Sequence, residues 1–507
     1  MKKLFLNSLL ILSILTTNNF AQTNPPQQVA PKNAPTATKT STVQQGIEVP
    51  FVNKTLSNGL EVIVLPDASV PIVTVEIAVR NGSFTEPPEL NGLSHLYEHM
   101  FFKPNRAVAL FKCEQYKNYP QLLAQNNCDA HLKYKADVGN LSYLGDIGQL
   151  GITYNGTTRE EVVNYYFTTT SPYLATALRV INDAIRYPTF DENEFEQEKQ
   201  VVIGEIDRNE SNPFFYLSRA LNDKLFYKYP TRKNPLGTRE TVTSATTDKM
   251  RLIQSRYYVP NNAALVITGD VKPEEVFKLA EQSIGTWKRR EVEPFKEFPL
   301  VEHPALTKSE GIIVEQPVQN VLIQIGWQGP SIGKDDAATY TADVFSYILT
   351  QPDSRFQRAM VDSGLTVGVD IGYYTQRNVG PIALTLVTTP DKAKAALKAA
   401  YAEVAQFDKP DYFTDEELQN AKTLLEARDL FDREKLSDYA HTLGFWWSST
   451  GIEYFRGYYK NLRAVSRADT NRYVKTYIQD KPHVSIALIS RDAQAQAKIT
   501  QEDLIGK

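Results

Sequence analysis

Within five residues, His95-Leu96-Tyr97-Glu98-His99 carries two imidazoles four apart and a carboxylate just before the second. On an α-helix, residues four apart share one face, so both rings can grip one ion. Neutral imidazoles at this spacing are a common half of tetrahedral zinc sites. Glu98 flanks such an ion without competing to ligate it, which places a base where it could deprotonate a metal-bound water. A hydrolytic zinc site has three protein ligands and one open position, so the third ligand must come from elsewhere in the chain. Glu198 and Glu205 are two helical turns apart and project from one face. Val201 and Val202 lie between them, which implies that this face is partly buried. Spacing alone does not choose between the two carboxylates. Glu192, Glu194, Glu196 and Glu210 read as solvated charge, the usual meaning of such a run.

These residues need elements to hold them. Leu60 to Leu65 reads as a strand after the turn residues Ser57-Asn58-Gly59, and Ile72 to Val79 as another, ending at Asn81-Gly82. The loop Glu86-Pro87-Pro88-Glu89 leads to Asn91, the expected N-cap of a helix from about Gly92 to Phe102. Apolar residues at helical spacing mark a helix from Ser171 to Tyr187 and a second, dense in Glu, from Asp191 to Asn209. Ala264 to Thr268 is an apolar strand. A charged, Pro-bearing connection, residues 288–309, separates this region from one with a similar pattern. Val321 to Trp327 can be laid beside Ile72 to Arg80, and Val484 to Ile489 beside Ala264 to Thr268. Two related halves, by internal duplication, are the hypothesis. The expected fold class is α+β: two similar α/β halves, each a mixed sheet with packed helices, joined clamshell-like by a linker.

The inverted His-x-x-Glu-His order, followed by Glu-Lys-x-x-Val-x-x-Glu at 198–205, resembles the pitrilysin/insulinase family of inverzincin metallopeptidases. His99-Met100-Phe101-Phe102-Lys103, Tyr187-Pro188-Thr189-Phe190, Pro235-Leu236-Gly237-Thr238 and Tyr258-Val259-Pro260-Asn261-Asn262 agree with that family's recurring pattern. The resemblance runs from about Val49 to Asp492. It implies one Zn2+ held by His95, His99 and Glu205, with Glu98 as general base and Glu198 as the carboxylate that orients the site. It also implies that Asn155 contacts a peptide added as an extra strand; the other reading of Asn155 is a turn former before Gly156. Two departures from the pattern stand out. His95 and Glu205 are 110 residues apart, where the family has roughly 80, and the surplus falls around 104–148. The family's Arg and Tyr, seven apart around a Gly-Leu, are also missing. Aligned on Gly364-Leu365, their places are taken by Met360 and Val367, and Arg355, Arg358 and Tyr373 are near but out of register. Some bacterial family members resemble an arrangement that divides the zinc site and the Arg/Tyr pair between two similar chains, so a related subunit that supplies the pair is the expected partner. The competing reading is that Arg358 or Tyr373 substitutes after a local shift of the alignment.

The chain has 507 residues, a formal charge of −4 and a composition 42% hydrophobic and 22% charged. That is globular material for more than one core. The mild acidity gives no basis for binding nucleic acid. Lys2 and Lys3 precede an apolar run from Leu4 to Leu15, and cleavage after Ala21 fits a secretory signal peptide, residues 1–21. The run is too short to span a bilayer comfortably, so no stable membrane insertion is expected after its removal. Residues 22–48, rich in Pro, Gln, Thr and Ala, read as a flexible leader. The chain is therefore expected to be exported, to the periplasm in preference to full secretion. In an oxidising compartment the only two cysteines, Cys113 and Cys128, are more easily explained as a disulfide than as free thiols. The resulting plan is a zinc peptidase domain over 49–287 with an insertion at about 104–148, a linker over 288–309, and a domain without the metal motif over 310–507. The resemblance, to a family whose facing halves enclose a chamber, implies zinc-dependent endopeptidase cleavage of short or unfolded peptides. The alternative is a non-catalytic family member acting as a binding or assembly subunit.

Overall fold

The β-rich runs bounded by turn residues form two mixed sheets in the computed structural model, which describes residues 47–103, 113, 116–125, 128 and 153–507. The expected signal peptide, nearly all of the leader and most of the insertion lie outside the described residues. The first sheet contains β1 (Val52–Thr55), β2 (Glu61–Pro66), β3 (Ile72–Val79), β4 (Thr153–Thr158), β5 (Val163–Thr170) and β6 (Ala263–Gly269), in the order β1-β2-β6-β3-β5-β4. The second contains β7 (Glu310–Glu315), β8 (Val321–Gln328), β9 (Gly368–Tyr373), β10 (Pro381–Thr388) and β11 (Val484–Ile489), in the order β7-β11-β8-β10-β9.

Without β1, the two sheets have the same plan. β2 pairs with β6 in parallel, as β7 does with β11, and every other neighbouring pair is antiparallel. The register repeats as well. Glu76 faces Tyr166, which faces Asn155; in the second sheet Gln324 faces Thr385, which faces Asp370.

Helices cover both faces of the sheets. In the first half these are α1 (Leu93–Phe101), α2 (Leu174–Arg186), α3 (Glu192–Glu210), α4 (Pro213–Leu225), α5 (Thr247–Tyr257) and α6 (Pro273–Ile284). Strand alternation puts Val62, Val64, Val75, Ile77, Leu265 and Ile267 on one face of the first sheet, where they pack with the apolar stripes of α1, α2, α3, α5 and α6. The second half contributes α7 (Asp336–Thr350), α8 (Ala393–Val404), α9 (Asp415–Asp432), α10 (Leu436–Ser449) and α11 (Arg467–Tyr477).

Two helices cross between the halves. α10 lies on the other face of the first sheet, against β3 and β6. α4 lies on the second sheet, where Leu217, Leu221 and Leu225 join Leu322, Val484, Ile486 and Leu488 in one cluster. Gly326 permits this approach, since a Cβ there would stand 2.7 Å from Leu221 Cδ1. Polar ties reinforce the exchange. Thr268 Oγ1 donates to Leu436 O at 2.9 Å, and Trp447 Nε1 to Glu61 Oε2 at 2.8 Å. Glu161 accepts the amide protons of Arg377 and Asn378, and Lys233 Nζ donates to Asn378 O and Val379 O. Among the described residues, no helix is long and apolar enough to cross a membrane.

Candidate metal centre

α1 is anchored before it is functional. Leu93, Leu96, Tyr97, Met100 and Phe101 form its buried face. Tyr97 stacks on Tyr258 and Phe101 on Tyr165, with ring centroids 4.0 and 3.8 Å apart. That stripe fixes the rotation of the helix, so His95 and His99 emerge together on the opposite side, their rings edge to face at 4.9 Å. Asn91 does not cap this helix. The N-cap position is Gly92, in a left-handed conformation with φ 87°. The capping acceptor is the buried Glu86 carboxylate, which takes the amide protons of Gly92 at 2.8 Å and Ser94 at 2.6 Å. Asn91 is diverted to the loop before α5, where its amide donates to Thr231 O and Asn234 O. The loop lies so close that Gly92 and Gly237 meet with no room for a Cβ on either.

α3 brings the carboxylates. Asp191 caps it, accepting from Asn193 N and Glu194 N, and Phe195, Val202 and Ile206 seat it in the core. Val202 is buried as expected, but Val201 is exposed, because neighbours on a helix point 100° apart. Glu205 Oε2 lies 3.5 Å from His95 Nε2 and 3.7 Å from His99 Nε2. Donor atoms of His95, His99 and Glu205 all fall within 4.8 Å of one another. Glu198 Oε2 meets the other side of His99, 3.0 Å from Nδ1, and its Oε1 pairs with Lys103. The geometry thus separates two carboxylates that spacing leaves equivalent: Glu205 converges on both ring nitrogens, and Glu198 stands behind one ring. His95 Nδ1 is buried with no hydrogen-bond partner among the described residues.

Electrostatics follow the packing. Burial, helped by the neighbouring His99, pushes His95 down to about 4, so its ring is neutral and able to ligate. Burial also opposes protonation of His99, but Glu205 and Glu198 outweigh it and hold His99 above its ordinary value. The hydrogen bond from His99 holds Glu205 below the usual carboxylate range. Glu98 is buried, and burial pushes it up to about 7 against the Thr158 hydroxyl, which donates to its Oε2 at 2.7 Å.

Two imidazoles and one carboxylate are the donor set of hydrolytic zinc sites with an open position. The three donors here, close and converging, fit that ion.

β4, the exposed edge of the first sheet, passes beside Glu98. A Cβ on Gly156 would stand 2.7 Å from Glu98 Cγ. Asn155 lies within this strand, not in a turn, and its Oδ1 accepts from Gly156 N at 2.9 Å. Tyr154 and Phe102 stack at 5.2 Å on the α1 side. Cys113 and Cys128 are joined by a disulfide, with Cα atoms 5.3 Å apart. In the second half Met360 is fully buried and Val367 exposed. Tyr373 is buried, its hydroxyl donating to Pro330 O at 3.0 Å, and Arg355 is engaged by Glu403 and the Tyr412 ring. Arg358 donates to Asp353 O. Glu86 and Thr158, which sequence reasoning did not single out, act through contacts that no local spacing encodes.

A family model described as insulinase, peptidase family M16, matches residues 62–116 and 135–239, and one described as the peptidase M16 inactive domain matches 244–425. The zinc protease PqqE of Helicobacter pylori is 21% identical over 439 residues, covering 86% of this chain and 91% of that one. The crystal structure of a protease from Helicobacter pylori superposes with a TM-score of 0.72 at 20% identity, covering 87% of this chain and all of that one. The periplasmic protease PqqL of Escherichia coli gives a TM-score of 0.68 at 15% identity, over 91% of this chain and 50% of that one.

Proposed function

Because the chain belongs to the insulinase (M16) family of peptidases, we propose that it is an exported zinc metallopeptidase that hydrolyses short or unfolded peptides, with Glu98 as its base. The observation that carries this reading is the convergence of His95, His99 and Glu205 beside the buried Glu98. Bound there, zinc would polarise the scissile carbonyl and acidify a water. The residues of the chain do the rest. Glu98, whose pKa burial raises to about 7, would take a proton from the attacking water as the base and return it to the leaving amine nitrogen. Thr158 fixes one carboxylate oxygen during both transfers. A peptide pairing along β4 gains main-chain hydrogen bonds with little dependence on its sequence, and Asn155 adds a side-chain contact. Export rests on the N-terminal sequence and on the likeness to a periplasmic protease.

The substrate-holding side is incomplete in this chain. Tyr373 and Arg355 are committed to structural contacts, and Met360 cannot offer a substrate carbonyl the hydrogen bonds of an arginine. A related exported subunit therefore supplies the Arg/Tyr pair. Co-purification from the native host, with zinc analysis and a peptide-cleavage assay on the same sample, tests this. The isolated chain should cleave poorly and gain activity when the partner is added. Full activity of the isolated chain would overturn the divided site. A purely binding role is disfavoured by the intact donor set, and the match to the inactive domain falls on 244–425, beyond the ligands.

A further inference from the structure

On the face of the first sheet that receives α10, β3 carries a carboxylate with no solvent exposure, Glu76. A carboxylate in that position needs hydrogen bonds and a positive partner. Asn164 Nδ2 donates to its Oε1 at 2.8 Å, and His441 Nδ1, on α10 of the second half, donates to its Oε2. Burial opposes a charge on His441, but Glu76 and then Asp438 outweigh it, against Arg159, and hold the ring above its ordinary value. The pair is an expensive way to join two halves, since apolar side chains of equal volume commonly do as well. It also requires Gly444 in the middle of α10, where any Cβ would strike Glu76 Oε1, and a helix-interior glycine is itself unfavourable.

What the pair provides lies on its far side. The His441 ring sits over Tyr166, with centroids 4.2 Å apart, a contact in which a charged ring is attracted to the aromatic face. Tyr166 faces Asn155 across the β4–β5 ladder; burial holds the Tyr166 hydroxyl above its ordinary value, and the polar Asn155 side chain acts the other way. With Asn155 Oδ1 taken by Gly156 N, the cross-strand neighbour Tyr166 is the side chain that bears on where the remaining amide group points. A continuous series, Glu76–His441–Tyr166–Asn155, therefore leads from the second half to the edge strand.

We propose that His441, seated by Glu76, is a positioning residue for peptide binding that acts through Tyr166 on Asn155, so that docking of α10 sets the edge strand to receive substrate. The inference rests on the reading that peptides pair along β4. The test uses the full chain, with any co-purifying subunit, and a dye-labelled unstructured peptide. Its Kd is measured in the zinc-loaded Glu98→Gln background, and KM and kcat in the active protein. His441→Gln and Tyr166→Phe should each raise Kd and KM about 3- to 10-fold, the worth of one hydrogen bond, and change kcat less than about twofold. In an Asn155→Ala background either substitution should add less than about twofold, because the contact acted upon is gone. Tyr166→Phe keeps the ring, so it remains informative if His441→Gln folds poorly. Unchanged Kd, or full additivity with Asn155→Ala, would overturn the inference. Tight, Asn155-dependent binding without cleavage by the active protein would instead sink the peptidase reading and leave this inference standing.

Discussion

Thr158 donates its hydroxyl to Glu98 Oε2 at 2.7 Å, which ties the edge strand to the carboxylate on the metal helix. The strand expected to receive peptide and the base expected to act on it are thereby held in one frame. Thr158→Val removes this hydrogen bond to an ionisable group and keeps the shape. Such bonds are worth about 1.5–3 kcal/mol, so kcat should fall about 10- to 100-fold, with zinc content unchanged. Thr158→Ser should restore most of the rate. Equal kcat for the threonine and valine proteins would show that the hydroxyl has no role in catalysis.

The two carboxylates on α3 should behave differently on substitution. Glu205→Gln removes a donor that converges on both imidazoles and should abolish stable zinc binding. Glu198→Gln only weakens the hold on His99 Nδ1 and should lower zinc affinity about 10- to 100-fold. Competition with a chromophoric chelator measures both, and the reverse order would exchange the two assignments.

Acid should act with opposite sign on the metal-free and zinc-loaded proteins. The metal-free fold holds the His99 pKa above its ordinary value. Protonation of His99 therefore favours the metal-free fold: the gain is fully present below the unfolded-state pKa and is lost as pH rises through the folded one. Zinc needs that ring unprotonated. Apparent zinc affinity should fall by about tenfold per pH unit below the folded-state pKa and level off above it. A flat profile from about pH 8 to about pH 6 would contradict this, given the ordinary histidine value of about 6.5.

Gly92→Ala should weaken the site at a distance. The position has φ 87° and its Cβ would lie 2.6 Å from Gly237 Cα, so the start of α1 must shift. A non-glycine residue in that conformation costs about 1–3 kcal/mol before the clash is counted. Both the melting temperature and zinc affinity should drop. A loss of stability with zinc affinity unchanged would mean that the ligands do not depend on the α1 N-terminus.

What was legible in the sequence was what local periodicity encodes. His95 and His99 share a face because helix geometry requires it, and β3 and β11 match their apolar runs, Ile72–Val79 and Val484–Ile489. Choosing Glu205 over Glu198 took either family resemblance or the docking of α3, since both carboxylates sit on one helical face. Asn91 met the local rule for a cap, and tertiary packing overrode it: the loop at Thr231–Asn234 took its amide, and Glu86 supplied the capping oxygens. The exchange of α4 and α10 could not be read either. An amphipathic pattern shows that a helix has a buried face, not which sheet covers it. Glu76 and His441 lie 365 residues apart, so nothing in either neighbourhood announces the other.

The central claim is that Glu98 is the base beside a zinc ion held by His95, His99 and Glu205. Glu98→Gln tests it most directly, with zinc content and peptide turnover measured on one sample. The ligands are untouched, so zinc should stay at the wild-type stoichiometry while turnover falls by about 10²- to 10⁴-fold, the usual cost of losing a positioned acid–base group. Near-normal turnover in a zinc-loaded Glu98→Gln protein would contradict the account.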